Sequence, residues 1–264
     1  MDPNHVPFEE LPITNRFMFA LVFSRKHIAK PFLEAILGIK IFDLQEPEPE
    51  KSIETSAFNK GIRYDVFVKE LGPDGEITRV FDIEMQMEDT HDLPKRTRYY
   101  QALCDSEALN KGESYRNLKE QYIIFICPDD IFKQGRAVYR FKNLELGHPE
   151  HELGDLCYKI FYIFNKYREV AEQSVKEYLE YFATNKATSK GTKDIERQRQ
   201  WYLSDNETRK RYMTWQQELD DLVYDERQRT KAAEKRASEA EIRADEAESR
   251  ADKYEKILKE HGLL

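Results

Sequence analysis

The sequence predicts an α/β domain, a mixed sheet core flanked by helices and continued by a long C-terminal helix. Three observations carry that prediction. Residues 61–69 and 77–87 read as two strands joined by Gly72-Pro73-Asp74-Gly75, a composition suited to a tight reversal. The run Gln121–Cys127, QYIIFIC, is continuously apolar and stopped by Pro128, as a buried central strand would be. From Ser204 onward Glu, Lys, Arg and Ala dominate, with no glycine or proline before His261.

The other elements follow in order. Phe17–Leu37 shows helical apolar spacing interrupted by Pro31 and closed by Gly38, so a second helix is expected to start near Lys30. Ile39–Leu44 is a short strand or a connector, and QEPEPEK (45–51) reads as a charged linker. His91–Ala108 has a proline near its start and apolar Tyr99, Ala102 and Leu103, consistent with a helix. Ala137–Lys142 and Lys159–Asn165 read as strands, and Ala171–Ala183 returns to helical spacing. The run SDNE places Ser204 or Asp205 as an N-cap, and Ser204 with Glu207 three residues on has the form of a capping box. Beyond it Ala233, Ala237, Ala240, Ala244, Ala247, Ala251, Tyr254 and Leu258 alternate spacings of four and three, a heptad seam. Alanine buries little area, so the seam is weak. It reads as a self-associating coiled coil or, failing that, a solvated single helix. The division expected is 1–203 for the core domain and 204–264 for the helical tail.

Composition excludes several classes. The chain of 264 residues is 40% hydrophobic and 35% charged. Its longest apolar runs fall well short of the ~20 residues that span a bilayer. The N-terminus, MDPNHVPFEELP, is acidic where a secretory signal is basic. A soluble cytoplasmic protein without membrane association is the expectation. Cys104, Cys127 and Cys157 form no C-x-x-C pair and read as buried reduced thiols. His148 and His151 lie in GHPEHELG, which reads as a solvated loop. Net charge is −8, so any nucleic-acid contact has to be a local basic patch. Lys95, Arg96 and Arg98 form one candidate; Lys190, Lys193, Arg197 and Arg199, interleaved with acids, read equally well as a solvated helix face.

The chemistry concentrates at the hairpin. Side chains alternate across a strand, so Glu84 and Gln86 share one face while Ile83 and Met85 point to the other. An acid on the first strand, Asp65, facing Glu84-x-Gln86 on its partner can hold a hard divalent cation, and phosphodiester hydrolysis is commonly built on carboxylate-held Mg²⁺. The bland reading makes Asp65 a satisfied strand-end residue and pairs Glu84 with Arg63 or Arg79. Asp82 shares the face of Glu84, as a further ligand or a solvent-facing acid. Tyr99 and Tyr100 are either core aromatics or cleft residues.

The ordered set of Asp65, the glycine turn, Ile83-Glu84-Met85-Gln86 and Arg96-Thr97-Arg98-Tyr99-Tyr100 resembles the PD-(D/E)xK nuclease superfamily. More narrowly it is similar to the bacterial recombination-promoting nuclease / putative transposase family, with FMFALVFS…PFLEAILG and KGESYRNLKEQYIIFI also fitting. The resemblance covers residues 13–200 and implies a restriction-endonuclease-like fold. It implies a Mg²⁺- (or Mn²⁺-) dependent DNA endonuclease, with DNA as partner and a setting in recombination, mobile elements or defence. By the same resemblance Asp65 and Glu84 are metal-binding carboxylates, and the Met85 carbonyl is a third ligand. Gln86 stands where the superfamily has lysine, Glu34 is an accessory carboxylate, and Lys95, Arg96, Arg98, Tyr99 and Tyr100 meet DNA. Glutamine can orient water but carries no charge and takes no proton. Lys95 or Arg98 is then the expected source of the missing positive charge. The alternative is a catalytically silent scaffold that binds DNA or partner proteins, using its tail helix. In either case a homo-oligomer through the C-terminal helix is expected.

Overall fold

The computed structural model describes residues 6–53 and 62–260. The chain forms two compact units, 1–208 and 209–264. In the first, α1 (Arg16–Phe23) and α2 (Lys26–Leu37) are followed by the short strands β1 (Asp43–Leu44), β2 (Glu48–Pro49), β3 (Ser52–Ile53) and β4 (Ile62–Arg63). The hairpin β5 (Val66–Leu71) and β6 (Ile77–Met85) comes next, then α3 (Leu93–Ala108) and β7 (Glu120–Cys127). The strands β8 (Val138–Phe141), β9 (Leu144–Glu145), β10 (His148–Glu152) and β11 (Cys157–Ile163) lead to α4 (Gln173–Thr184) and α5 (Lys190–Ser204). The helix α6 (Asn206–Glu260) runs from the end of this unit through the second.

Seven strands make the main sheet, in the order β1-β5-β6-β7-β11-β8 with β2 also on β5. The β5–β6 pair is antiparallel, whereas β6, β7 and β11 are parallel neighbours. A parallel neighbour requires a crossover, and α3 supplies it between β6 and β7. The sheet is therefore mixed, as the hairpin followed by helix and apolar strand implied.

Alternation decides what each face buries. Phe67, Ile123, Phe125, Phe161 and Ile163 lie under Leu93, Tyr100, Leu103 and Cys104 of α3. Side chains of opposite parity, such as Ile124, Ile126, Ile160 and Tyr162, are equally buried on the other face. There the Tyr162 hydroxyl donates to the Ile36 carbonyl of α2, while Phe19, Phe23, Phe32 and Phe182 form an aromatic cluster joining α1, α2 and α4. Burying each such ring contributes roughly 1.5–3 kcal/mol.

Several boundaries differ from the sequence expectation. The helix α2 begins at Lys26, and Pro31 sits inside it. The proline removes one backbone donor on the exposed side, and the buried spacing Ile28, Ala29, Phe32, Leu33, Ile36 outweighs that loss. Gly38 closes this helix in the left-handed region (φ 69°), where a side chain is disfavoured. QEPEPEK is more than a linker: Glu48 and Pro49 pair with Phe67 and Val66, and Pro49 is tolerated because β2 is an edge strand. GHPEHELG forms β10, which pairs with β9, and its two histidines are exposed beside Glu150 and Glu145. Of the two expected N-caps of α6 it is Asp205 that caps the helix, its Oδ2 accepting from Thr208 N at 2.9 Å, while Ser204 ends α5. Residue 61, the start of the first expected strand, lies outside the described residues. The next two strand residues pair with β3, so that strand is two pieces, β4 and β5.

Candidate active site

The turn brings Asp65 and Glu84 together. Gly75, with φ 82°, donates its N–H to the Gly72 carbonyl at 3.0 Å, and this reversal sets the β5–β6 register. Asp65 stands one step beyond the Val66–Ile83 pair and so directly opposite Glu84. Two hydrogen bonds lock the arrangement: Asp65 N donates to Glu84 Oε1 at 3.0 Å, and Met85 N donates to Asp65 Oδ2 at 2.9 Å. Each carboxylate is thus fixed by the backbone of the facing strand.

The pair is enclosed. Asp65 and Glu84 are each 2% exposed. Arg16, at the start of α1, donates to Asp65 Oδ1, and Arg96 of α3 approaches Glu84 Oε2 at 3.7 Å. These guanidiniums close over the carboxylates, where the metal reading calls for an open cavity. Asp82, expected as a ligand or a solvent-facing acid, is fully buried on the same face, and its one polar neighbour among the described residues is the Glu84 carboxyl, which it can meet only when one of the two is protonated. Glu50, held in the left-handed region at φ 53°, donates its N–H to the Asp65 carbonyl and adds a negative charge felt at Arg16 and Asp65.

The electrostatics follow from that crowding. Burial pushes Glu84 up to about 8, and the neighbouring Asp65 charge adds to the shift while Arg16 and Arg96 oppose it. Burial and then Glu84 hold Asp82 well above the ordinary carboxylate range. Asp65 is raised by burial against the pull of Arg16. Four acids face two cations, and the crowding is relieved by keeping Glu84 and Asp82 toward their neutral forms.

This donor set fits a hard cation in its chemistry. The oxygens of Asp65 and Glu84, with the Asp82 carboxyl beside Glu84, are the ligands Mg²⁺ or Mn²⁺ prefers. In the structure described, the Arg16 guanidinium supplies the counter-charge at Asp65. Among the described residues no group of three or more His, Cys, Asp or Glu is placed to hold a metal ion.

The remaining expected residues divide. Gln86 Oε1 accepts from Arg96 Nη1 at 2.9 Å, and its Nε2 donates to the Glu88 carbonyl, so it lies beside the pair. Arg96 also donates to the Tyr100 hydroxyl at 3.0 Å and stacks over Tyr100 and Phe125. Tyr100 is 8% exposed and T-stacked on Tyr64, a core aromatic of the site rather than a cleft surface. Tyr99, at 37%, faces outward, and Lys95 and Arg98 are exposed along α3. Glu34 does not join the site. Its carboxylate accepts from Ile41 N at 3.1 Å and ties down the turn after α2. Arg79 pairs with Glu70 and Glu120, not with Glu84; the Arg63 side chain lies outside the described residues.

Arg16, Glu50 and the burial of Asp82 escaped the sequence reading. One signal was available for Arg16: it is the only charge on α1, whose other residues, FMFALVF, are all buried.

Among the described residues no helix is long and apolar enough to cross a membrane. Neither the curated proteins nor the solved structures include a match to the chain. A family model described as PD-(D/E)XK nuclease family transposase matches residues 14–259. The match extends past residue 200, where the resemblance in the sequence ended, and takes in most of the tail. With its mixed sheet, its flanking helices and a match over most of its length, the chain belongs to the PD-(D/E)XK nuclease family transposases.

Proposed function

We propose that this protein is a metal-dependent DNA endonuclease that hydrolyses phosphodiester bonds with Mg²⁺ or Mn²⁺ at Asp65, Glu84 and the Met85 carbonyl. The reading rests chiefly on the reciprocal backbone hydrogen bonds that fix Asp65 and Glu84 opposite each other. When bound, the cation would polarise the scissile phosphoryl group and acidify a water. The chain's own residues do the rest. Asp65 and Glu84 hold their oxygens convergent, Gln86 orients water, and Arg96 offsets charge on the phosphate. Arg16 has to leave Asp65 for the cation to enter; its side chain is 41% exposed, which gives it somewhere to go. Residues 1–203 would carry the nuclease, with Lys95, Arg98 and Tyr99 meeting the DNA backbone. Residues 204–264 would join copies of the chain through the alanine seam. Recombination, mobile-element or defence settings all suit such an activity.

The enclosure of both carboxylates by Arg16 and Arg96, with Gln86 in the lysine place, favours a second reading: a silent nuclease-fold scaffold that binds DNA or protein partners, using its tail helix. Plasmid nicking with Mg²⁺ or Mn²⁺, together with calorimetric titration of each metal, separates the two. The nuclease predicts nicking and metal binding that Asp65→Ala and Glu84→Ala abolish. Absence of nicking, or nicking unchanged in the double variant, overturns it.

A further inference from the structure

A cleft of about 520 Å³ opens between α3 and the strands β8 and β11. Its walls are aromatic: the Phe132 ring lies 5.2 Å from Phe141 and 5.0 Å from Phe161, centre to centre. Phe161 is the floor, 1% exposed, whereas Phe141 on the outer strand is 42% exposed. An aromatic ring left this open contributes little to the core. Two cations, Arg98 and Lys159, line the same cleft, and Asp105 is the only acid among its described lining residues. With Asp105 in the lining and Asp155 bonded to Asn143 beside it, the two cations are balanced, which in a chain of net charge −8 still leaves this cleft less acidic than the average surface, next to the exposed Phe141 ring.

The cleft lies on the face that carries the carboxylates. Glu84 pairs with Phe125, and Phe125 pairs with Phe161, in register across three parallel strands. Two strand spacings put the Glu84 and Phe161 backbones about 10 Å apart. Helix α3 lies over the sheet between the two, with Arg96 toward Glu84 and Arg98 and Gln101 lining the cleft. A strand whose phosphate sits at Glu84 therefore reaches the cleft by passing the N-terminal end of that helix, where Pro94 lines it. The volume is in the range of small-molecule sites, large enough for a nucleoside. An intact base pair offers no free ring face to such a cleft, and an unpaired or extruded base does.

We propose that this cleft takes an unpaired nucleobase, stacked on Phe141 and Phe132 with its flanking phosphate on Arg98 and Lys159, so that the protein engages duplex DNA preferentially at unpaired bases. The inference rests on the nuclease reading for the presence of DNA on this face. Phe141 supplies ring area and Arg98 and Lys159 supply phosphate charge, while the side-chain amides of Gln101 and Asn143 in the same lining are already bonded to Cys157 and Asp155.

The test measures binding by the full-length protein without metal at fixed salt. Three labelled duplexes are compared: one fully paired, one with a single extra adenine, and one with an abasic site in place of that adenine. The abasic duplex matches the flexibility of the second but lacks the base. The extra adenine should bind about tenfold more tightly than either control. Phe141→Ala should erase that preference, and Phe141→Tyr should keep it. Ala102→Trp, which fills the cleft from the exposed side of α3, should erase it without removing any wall residue. Equal affinity for the adenine and abasic duplexes overturns the proposal, as does an equal loss on all three duplexes in both cleft variants. A protein that shows the preference but never nicks DNA sinks the nuclease reading and leaves this one standing. One that nicks plasmid yet binds all three duplexes alike does the reverse.

Discussion

Arg96 donates to Gln86 Oε1 at 2.9 Å while its other terminal nitrogen stands 3.7 Å from Glu84. The side chain in the lysine place of the motif is thus held by the cation that approaches the catalytic-candidate carboxylate. On sequence grounds Lys95 or Arg98 was to supply the charge that glutamine lacks, but both are exposed along α3, and Arg96 makes the contacts. Its planar fork reaches Gln86, Tyr100 and Glu84 together, which an ammonium group cannot do.

Arg96→Ala should therefore lower nicking far more than Lys95→Ala, by at least tenfold, and Arg96→Lys should recover little of it. The measurement is the initial nicking rate at saturating Mg²⁺. Equal, small losses for all three variants would mean that Arg96 only packs over Phe125. Gln86→Lys gives the complementary result. It removes an acceptor from Arg96 and sets two cations side by side, so we expect loss of stability on the order of 1 kcal/mol and no gain in rate.

Arg16 controls a second prediction. Its guanidinium stands at Asp65 where a cation would otherwise balance the buried charge. Arg16→Ala should destabilise the metal-free protein by roughly 1–3 kcal/mol, a value reduced because the Arg16 side chain is partly exposed. Added Mg²⁺ should restore more stability to this variant than to wild type, since the ion no longer has to displace the arginine. Thermal unfolding with and without millimolar Mg²⁺ reads both effects. An equal Mg²⁺ response in the two proteins would place the ion elsewhere.

The two arginines also mark how far the sequence could be read. Strand alternation, the glycine turn and Asp65, Glu84 and Gln86 are local patterns, and the hairpin they specify is the one observed. The contact between Arg16 and Asp65 spans 49 residues and depends on how α1 packs, which no local period encodes. The same holds for Glu48 and Pro49, which pair with β5 because an open sheet edge is nearby, and for Glu34, whose helical position says nothing of its bond to Ile41. The burial of Asp82 is hidden from the sequence for a related reason. Two strands and α3 seal that face, and the hairpin alone leaves it open.

Burial of Glu84 makes a pH prediction. Its carboxyl is raised from the ordinary 4.5 to about 8, so the folded state favours the protonated form. The stabilisation is complete below about 4.5 and is lost as pH rises through about 8. Between pH 5 and about 9 the metal-free wild type should lose stability relative to Glu84→Gln, which cannot ionise. Mg²⁺ should remove that difference, because it binds the ionised form. Denaturant unfolding of both proteins across this range checks it, and parallel curves would show that Glu84 titrates normally.

The tail gives the last prediction. Helix α6 runs to Glu260, and the seam residues Ala233, Ala237, Ala240, Ala244, Ala247 and Ala251 are all exposed on it; the side chains of Tyr254 and Leu258 lie outside the described residues. Among the described residues this alanine stripe is exposed, and a second copy of the same helix offers an identical one. Alanine permits close approach but buries little area, so association should be weak and concentration-dependent. Light scattering across a concentration series should show mass per particle rising above one chain. Ala240→Glu with Ala247→Glu sets like charges two turns apart on the seam and should return the protein to a monomer without changing the helical content of the first unit. A wild type that stays monomeric at every concentration would leave α6 as a solvated single helix, held by its i,i+4 charge pairs such as Lys235 with Glu239.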